Sequence, residues 1–339
     1  MPNRSRRALC AATLAVLCAA ATARAAHAAE DVVAELRVVS PNGVLEPGTS
    51  YVTSSERIKT DPKARCFVDG EGGSGDRVRL AGATAMGVIE TAGDANRDLR
   101  PLSATDEFGF GLGLCGIGDV EARRSKFWSV TLNHQASQVG GDQVTLSQGD
   151  EVLWSLTKFP PEPELELDAA PGTTPGTLEV SVKRWVCSTA FPPPDPVCES
   201  EPAPGATVSG GDSNATTDAG GVADVPLASA GEYTLQATLA AHLDSNLAEV
   251  CVSAEAGACP DPGDPPSRRI VGRDKDDDFA ATEGWDVVRA RGGDDRVSIR
   301  SGGADRVNCG AGRDLVLTAS ADDDDQLARN CERVREATG

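Results

Sequence analysis

The sequence predicts a mainly β, multidomain protein. Three observations carry that class. Short runs alternate apolar and polar residues with a period of two, as in "FWSVTLNH", where Trp128, Val130 and Leu132 share one face. Two proline clusters, Pro160-Pro161-Glu162-Pro163 and the stretch 259–266, stop both helix and ladder and cut the chain into segments. Near the C-terminus a lone aspartate recurs on a nine-residue clock. A length of 339 residues suits two or three such segments.

Residues 1–28 read as a secretory signal. Arg4, Arg6 and Arg7 form its basic end, an apolar run extends from Ala8 to Ala23, and Ala26-His27-Ala28 offers small residues for cleavage before Ala29. The run is too short for a stable anchor, and no later segment is apolar for long enough to span a membrane. The formal charge of −20 becomes −24 once Arg4, Arg6, Arg7 and Arg24 are removed. Such a chain repels nucleic acid and anionic lipid, so neither is an expected partner.

The first segment, 29–159, mixes strands with one helix. In "DEVLWSL", Val152, Trp154 and Leu156 share a face, and Gly149-Asp150 marks the turn before them. In "ATAMGVIETA", Ala85, Val88, Ile89 and Ala92 follow helical spacing, and Thr84 is the expected N-cap. One helix on a small mixed sheet is an α+β layer. The order "GDRVRLAGATAMGVIETA", "FGFGLGLCGIGD", "FWSVTLNHQASQVGGDQVTLSQGDEVLW" resembles the family of the transcobalamin C-terminal domain. That resemblance implies a β-grasp-like fold. It also implies, as an alternative function, a small-molecule, corrinoid-like ligand held by this domain, with Trp128, Trp154 and the glycine-rich "GFGLGLCGIG" as contact surface. The helical barrel that holds the corrinoid in that family has no counterpart here.

The second segment, 160–258, reads as a β-sandwich. "ELELDAA", "GTLEVSVKRWV", "GATVSG", "GVADVPLASAGEYTLQATLA" and "NLAEVCVS" are short strands separated by Gly, Pro, Asn or Asp. "TTDAGGVADVPLASAGEYTLQAT", with Gly220, Gly221, Gly231 and Tyr233, resembles bacterial immunoglobulin-like and carboxypeptidase-regulatory-like modules. From Glu162 to Asp264 seventeen acids face two bases, which suits a solvated surface.

Residues 259–266 form the linker, and 267–339 the third segment. Here Asp277, Asp286, Asp295, Asp305 and Asp314 are each followed two residues later by Phe279, Val288, Val297, Val307 or Val316. The last four are each preceded two residues earlier by a glycine, and Lys275 takes that place in the first unit. Asp323 keeps the step, but Asp325 stands at the apolar place and the pattern ends, leaving about five units from Lys275 to Val316. These units resemble degenerate RTX, or haemolysin-type, calcium-binding repeats. The resemblance implies a short parallel β-roll, with Asp277, Asp295 and Asp314 stacked on one edge, Asp286 and Asp305 on the other, and calcium between coils. Coils about 4.8 Å apart place like charges close enough to repel by roughly 3 kcal/mol at an effective dielectric of 20, which a hard divalent cation would relieve. Arginines offer another solution: Arg296 and Arg306 directly follow repeat aspartates, with Arg289, Arg291, Arg300 and Arg313 nearby, so a metal-free Asp–Arg ladder is the alternative. The acidic run Ala321–Asp325 is expected to solvate the end of the roll.

Outside the signal eight cysteines remain, an even number that favours disulfides in an exported chain. Cys66 is expected to pair with Cys115, and Cys309 with Cys331. Cys187–Cys198 with Cys251–Cys259 is the preferred local pairing of the middle four, a strand-to-strand crossing the alternative.

Catalytic signatures are missing. Neither His134, a turn residue at a strand end, nor His242 lies in HExxH, and no Gly-x-Ser-x-Gly elbow occurs. A hydrolase would need carboxylates that the fold brings into one cleft. The expected function is therefore that of a secreted, non-enzymatic, modular binding or structural protein with calcium as cofactor and an extracellular ligand that the sequence does not identify.

Overall fold

A computed structural model of the chain describes residues 31–66, 72–109, 111–123, 125–188, 197–299, 303–319 and 325–336. The expected signal, 1–28, and the stretch 321–324 of the acidic run lie outside them. Strands dominate, with one eleven-residue α-helix among the described residues. The chain is mainly β and built from several sheets.

In the first segment the hairpin Val32–Ser40 and Gly43–Thr53 lies beside the strand Glu151–Thr157, which runs parallel to Val32–Ser40 and antiparallel to Phe127–Leu132. The helix Ala85–Ala95 covers one face of this mixed sheet, and its apolar stripe, Ala85, Val88, Ile89 and Ala92, is fully buried. Thr84 caps it as expected, its hydroxyl accepting the Gly87 N–H at 3.1 Å. Trp128 and Trp154 belong to this core, and the Trp154 indole N–H donates to the Ala85 carbonyl at 3.0 Å. The strand Gly113–Ile117, cut from the glycine-rich stretch, is buried throughout. Both tryptophans and this strand, named in the sequence as contact surface for a small molecule, are buried in the core of the first segment.

The second segment is a two-layer sandwich. One sheet holds Glu164–Asp168, Gly176–Cys187, Cys198–Pro202 and Val222–Leu227, and the other Gly172–Thr173, Leu247–Val252, Gly231–Thr238, Thr207–Ser209 and Ala215–Thr216. Leu165, Val180, Val225, Leu235 and Val250 fill the space between them. Of the two pairings open to the middle cysteines, the structure has the local one: Cys187–Cys198 and Cys251–Cys259, beside Cys66–Cys115 and Cys309–Cys331.

The third segment winds as a roll of two parallel sheets. Arg269–Val271, Val287–Arg289, Arg306–Asn308 and Gln326–Leu327 stack in one; Asp278–Ala280, Arg296–Ile299, Leu315–Thr318 and Arg333–Glu336 stack in the other. Phe279, Val288, Val297, Val307 and Val316 are buried between them. The roll is longer than the five units read from the sequence. It starts at Arg269–Val271, and after Asp314 the aspartate position passes to Asp325 and then to Glu332, an irregular step and a change of residue that hid both from the nine-residue count. The ten-residue step between Asp295 and Asp305 runs through 300–302, outside the described residues.

The roll does not stand apart. Arg269–Val271 pairs in parallel with Gly43–Thr53, Ser50 opposite Ile270, so one nine-stranded sheet runs from the first segment into the roll. Val33 and Val52 close the end of the roll's own core against Ile270. Position 267 is thus a break in the chain but not in the packing.

Candidate functional site

The five repeat aspartates sit on two edges, as the repeat pattern implies, and all are buried, at most 2% exposed. Asp286, Asp295, Asp305 and Asp314 each take a backbone N–H from the preceding coil of their edge, whereas Asp277 takes the N–H of Arg273 in its own unit. Asp277 N–H donates to Asp295 Oδ1 at 2.9 Å, Asp295 N–H to Asp314 Oδ1 at 2.9 Å, and Asp314 N–H to Glu332 Oε2 at 2.9 Å. On the other edge Arg268 N–H donates to Asp286 Oδ1, Asp286 N–H to Asp305 Oδ1, and Asp305 N–H to Asp325 Oδ1, at 2.9 to 3.0 Å. The chain thus builds a carboxylate–amide ladder, a device the sequence reading did not foresee. Its signal was present: an acceptor on one coil meets the otherwise orphaned amide of the coil before it.

The second oxygens differ. Asp277 Oδ2 accepts the Arg273 N–H at 2.7 Å, and Asp286 Oδ2 accepts the Thr282 N–H at 2.5 Å. Asp295 Oδ2 and Asp314 Oδ2 are buried and meet no donor among the described residues. The residues four before them, Arg291 and Gly310, have left-handed backbone, φ 75° and 92°, so this edge turns differently. Burial pushes the carboxyls of Asp277, Asp286 and Asp314 up, and that of Asp295 up to about 7, where the charges of Asp277 and Asp314 add to the effect.

Arginine does not form the ladder in the way the sequence suggested. Arg296 lies 3.7 Å from Asp278, its strand neighbour, rather than on Asp295. The residue after each repeat aspartate points to the outer face, since successive side chains in a strand alternate. Arg273 is the exception: buried, it ion-pairs with Asp277 at 2.6 Å and with Glu56 at 3.2 Å, and it also reaches Asp31 and Ser54. It therefore staples the roll to the first segment.

The glycine two before each of the last four aspartates has a steric cause. A Cβ on Gly312 would lie 1.7 Å from the Gly293 carbonyl oxygen, and one on Gly293 2.3 Å from the Lys275 carbonyl carbon. The turns stack so closely that no side chain fits there. Among the described residues no three acidic, histidine or cysteine side chains converge as a ready metal cage.

A second polar cluster lies on the back of the first sheet, opposite the helix. Along Val32–Ser40, Val33 packs into the roll core and Val39 meets Leu153 and Leu243, bridging to the sandwich. Between them Glu35 and Arg37 face a cavity of about 450 Å³ bounded by all three segments. Arg37, 5% exposed, ion-pairs with Glu164 of the sandwich and donates to the Leu165 carbonyl at 3.2 Å. Arg268 lies 3.3 Å from Glu35 and 3.6 Å from Glu151. His134 sits in a turn, as expected, at φ 64°; its ring stacks on Trp185 at 4.4 Å and its Nδ1 meets Glu164 at 3.0 Å. Burial and the neighbouring Glu151 push Glu35 up to about 7. Carboxylates therefore do converge in a cleft, but cations of the protein itself hold them, Arg37 and His134 on Glu164, Arg268 between Glu35 and Glu151. The signal in the sequence was a strand carrying charge between two apolar residues on the same face, the mark of a face that is covered.

No family model, curated protein or solved structure matches the chain. Among the described residues no helix is long and apolar enough to cross a membrane.

Proposed function

We propose that the chain works outside the cell as a modular, non-enzymatic binding and structural protein, and that its roll takes calcium on the edge of Asp277, Asp295 and Asp314. Asp286 and Asp305 form the corresponding edge opposite. The observation that carries this reading is the pair of buried carboxylate oxygens, Asp295 Oδ2 and Asp314 Oδ2, on successive coils without a donor. Buried acceptors of this kind call for a proton or a cation. Calcium takes oxygen ligands from carboxylates and backbone carbonyls, and bound here it would supply the positive charge that like-charged coils lack. Asp295 and Asp314 are the side chains that would hold it. Four disulfides and the signal-like residues 1–28 support export to an oxidising compartment.

A second reading has its own support. Every repeat aspartate already accepts a backbone amide, on Oδ2 in Asp277 and on Oδ1 in the other four, so the ladder closes without metal and the roll serves as a scaffold. Thermal melts and calorimetric titration of residues 29–339 separate the two. Under the calcium reading, calcium at about a hundred times its Kd stabilises the protein by about 2.7 kcal/mol, and Asp295→Asn with Asp314→Asn abolishes that gain. No heat of binding, with identical melts in chelator and in millimolar calcium, leaves the metal-free scaffold.

A further inference from the structure

The back-face cavity carries an inference independent of calcium. Its lining includes six acids, Glu35, Glu151, Glu164, Glu166, Asp168 and Glu249, against Arg37, Arg268, Arg269 and His134. With His134 protonated that lining is two charges negative when Glu35 is ionised and one charge negative when Glu35, pushed up to about 7, holds its proton. Its volume of about 450 Å³ falls in the range of small-molecule sites. Apolar wall comes from Leu153 and from Leu167 and Leu247 of the sandwich.

One atom gives the site its chemistry. Glu164 is 6% exposed, and its Oε1 is taken by Arg37 and His134, while its Oε2 is buried without a donor among the described residues. Burial works against ionising this carboxyl, but Arg37 and His134 outweigh it and hold it below the usual range, so Oε2 is a charged acceptor. An acceptor-only atom is satisfied by a donor, and in a negative lining by a cationic one. The hydroxyl of Thr131, another lining residue, is buried and unpartnered as well.

We propose that this junction cleft binds a small organic cation, an ammonium or guanidinium group on a short apolar body, with Glu164 Oε2 accepting from the cationic head. An anion would face six carboxylates, and a bare metal ion would leave the apolar wall unused. The cleft also has a reporter: Trp185 stacks on His134 and donates to Glu166 at 2.7 Å.

The test is titration of the full chain, in chelator so that calcium plays no part. Agmatine and phenylethylamine are the cationic probes and glutarate the anionic control, followed by calorimetry and by tryptophan emission with Trp185→Phe as reference. The cations should bind with a Kd at or below about 1 mM, weakening as salt is added, and glutarate should not bind. Glu164→Gln should weaken binding at least about tenfold. Because that variant also loosens the Arg37 pair, Glu151→Gln with Asp168→Asn, both on the outer part of the lining, serves as a second measure and should weaken binding severalfold. Absence of binding at about 10 mM, equal binding of glutarate, or unchanged affinity in both the Glu164 variant and the double variant would overturn the proposal.

Discussion

At the residue scale the protein's unusual feature is a set of aspartates that are buried and hydrogen-bonded yet held above their ordinary titration range. Asp295 shows the consequence. Its carboxyl rises from 3.8 to about 7 in the folded chain, chiefly through burial. A group whose folded value is raised stabilises the fold fully below the unfolded value and loses that contribution as pH climbs through the folded one. In chelator the melting temperature should therefore fall as pH rises from about 4 to about 8, and Asp277, Asp286 and Asp314 shift in the same direction. Asp295→Asn keeps the acceptor for the Asp277 amide and removes the charge, so it should flatten part of that slope and be the more stable protein near pH 8. Asp295→Ala instead orphans the Asp277 amide and should cost about 1–3 kcal/mol near pH 4, the deficit shrinking as pH rises because this variant also lacks the titrating carboxyl. A pH series of melts on the three proteins checks this; parallel slopes for all of them would remove Asp295 from the titration.

At the scale of the element the coil spacing governs which residues the roll accepts. The repeat was legible in the sequence as glycine, aspartate and an apolar residue at fixed offsets, but the reason for the glycine was not. It is the carbonyl of the coil below, 1.7 Å from where a Gly312 Cβ would be. Gly312→Ala should therefore destabilise by about 1–3 kcal/mol or more, with φ 151° adding strain. Gly292→Ala is the control, since its Cβ would meet the Ala311 carbonyl oxygen at an ordinary 3.5 Å. Urea unfolding of the two variants reads the difference, and equal midpoints would mean that the turns are not so tightly stacked. The helix Ala85–Ala95 is the opposite case: stripe and cap were both readable, because they depend on residues within one or two turns of each other.

At the scale of the whole molecule the three segments share one sheet face. Apolar contacts anchor its two ends, Val33 and Val52 to the roll, Val39 and Leu153 to the sandwich. Arg273 reinforces the first junction with carboxylates from both sides, Asp31 and Glu56 of the first segment and Asp277 of the roll. In the fold Arg273 is a buried tie. Arg273→Ala leaves Asp31 and Asp277 without that cation, while Glu56 keeps Lys275 at 2.7 Å, and should cost about 3–5 kcal/mol. Limited proteolysis should then release the roll at lower protease than in the parent, and Arg273→Lys should rescue little, since a lysine cannot fork to three partners. An unchanged cleavage pattern would assign the docking to the apolar contacts alone.

The sequence by itself determined the mainly β class, the strand-rich stretches, the capped helix and the regular spacing of the repeat aspartates. Those features rest on short-range periodicity, turn residues and proximity along the chain. Tertiary structure decided the rest. Which faces are covered depends on contacts between residues more than a hundred positions apart, and strand alternation alone does not say what lies opposite. Thus Trp128 and Trp154 turned inward as core, Glu35 and Arg37 came to line a cleft, and Arg273 became a staple. The aspartate ladder needed both levels. The nine-residue clock sets the carboxylates in register, but only the close stacking of coils brings those of Asp295 and Asp314 to the backbone amide of the coil before and leaves their second oxygens without a donor among the described residues.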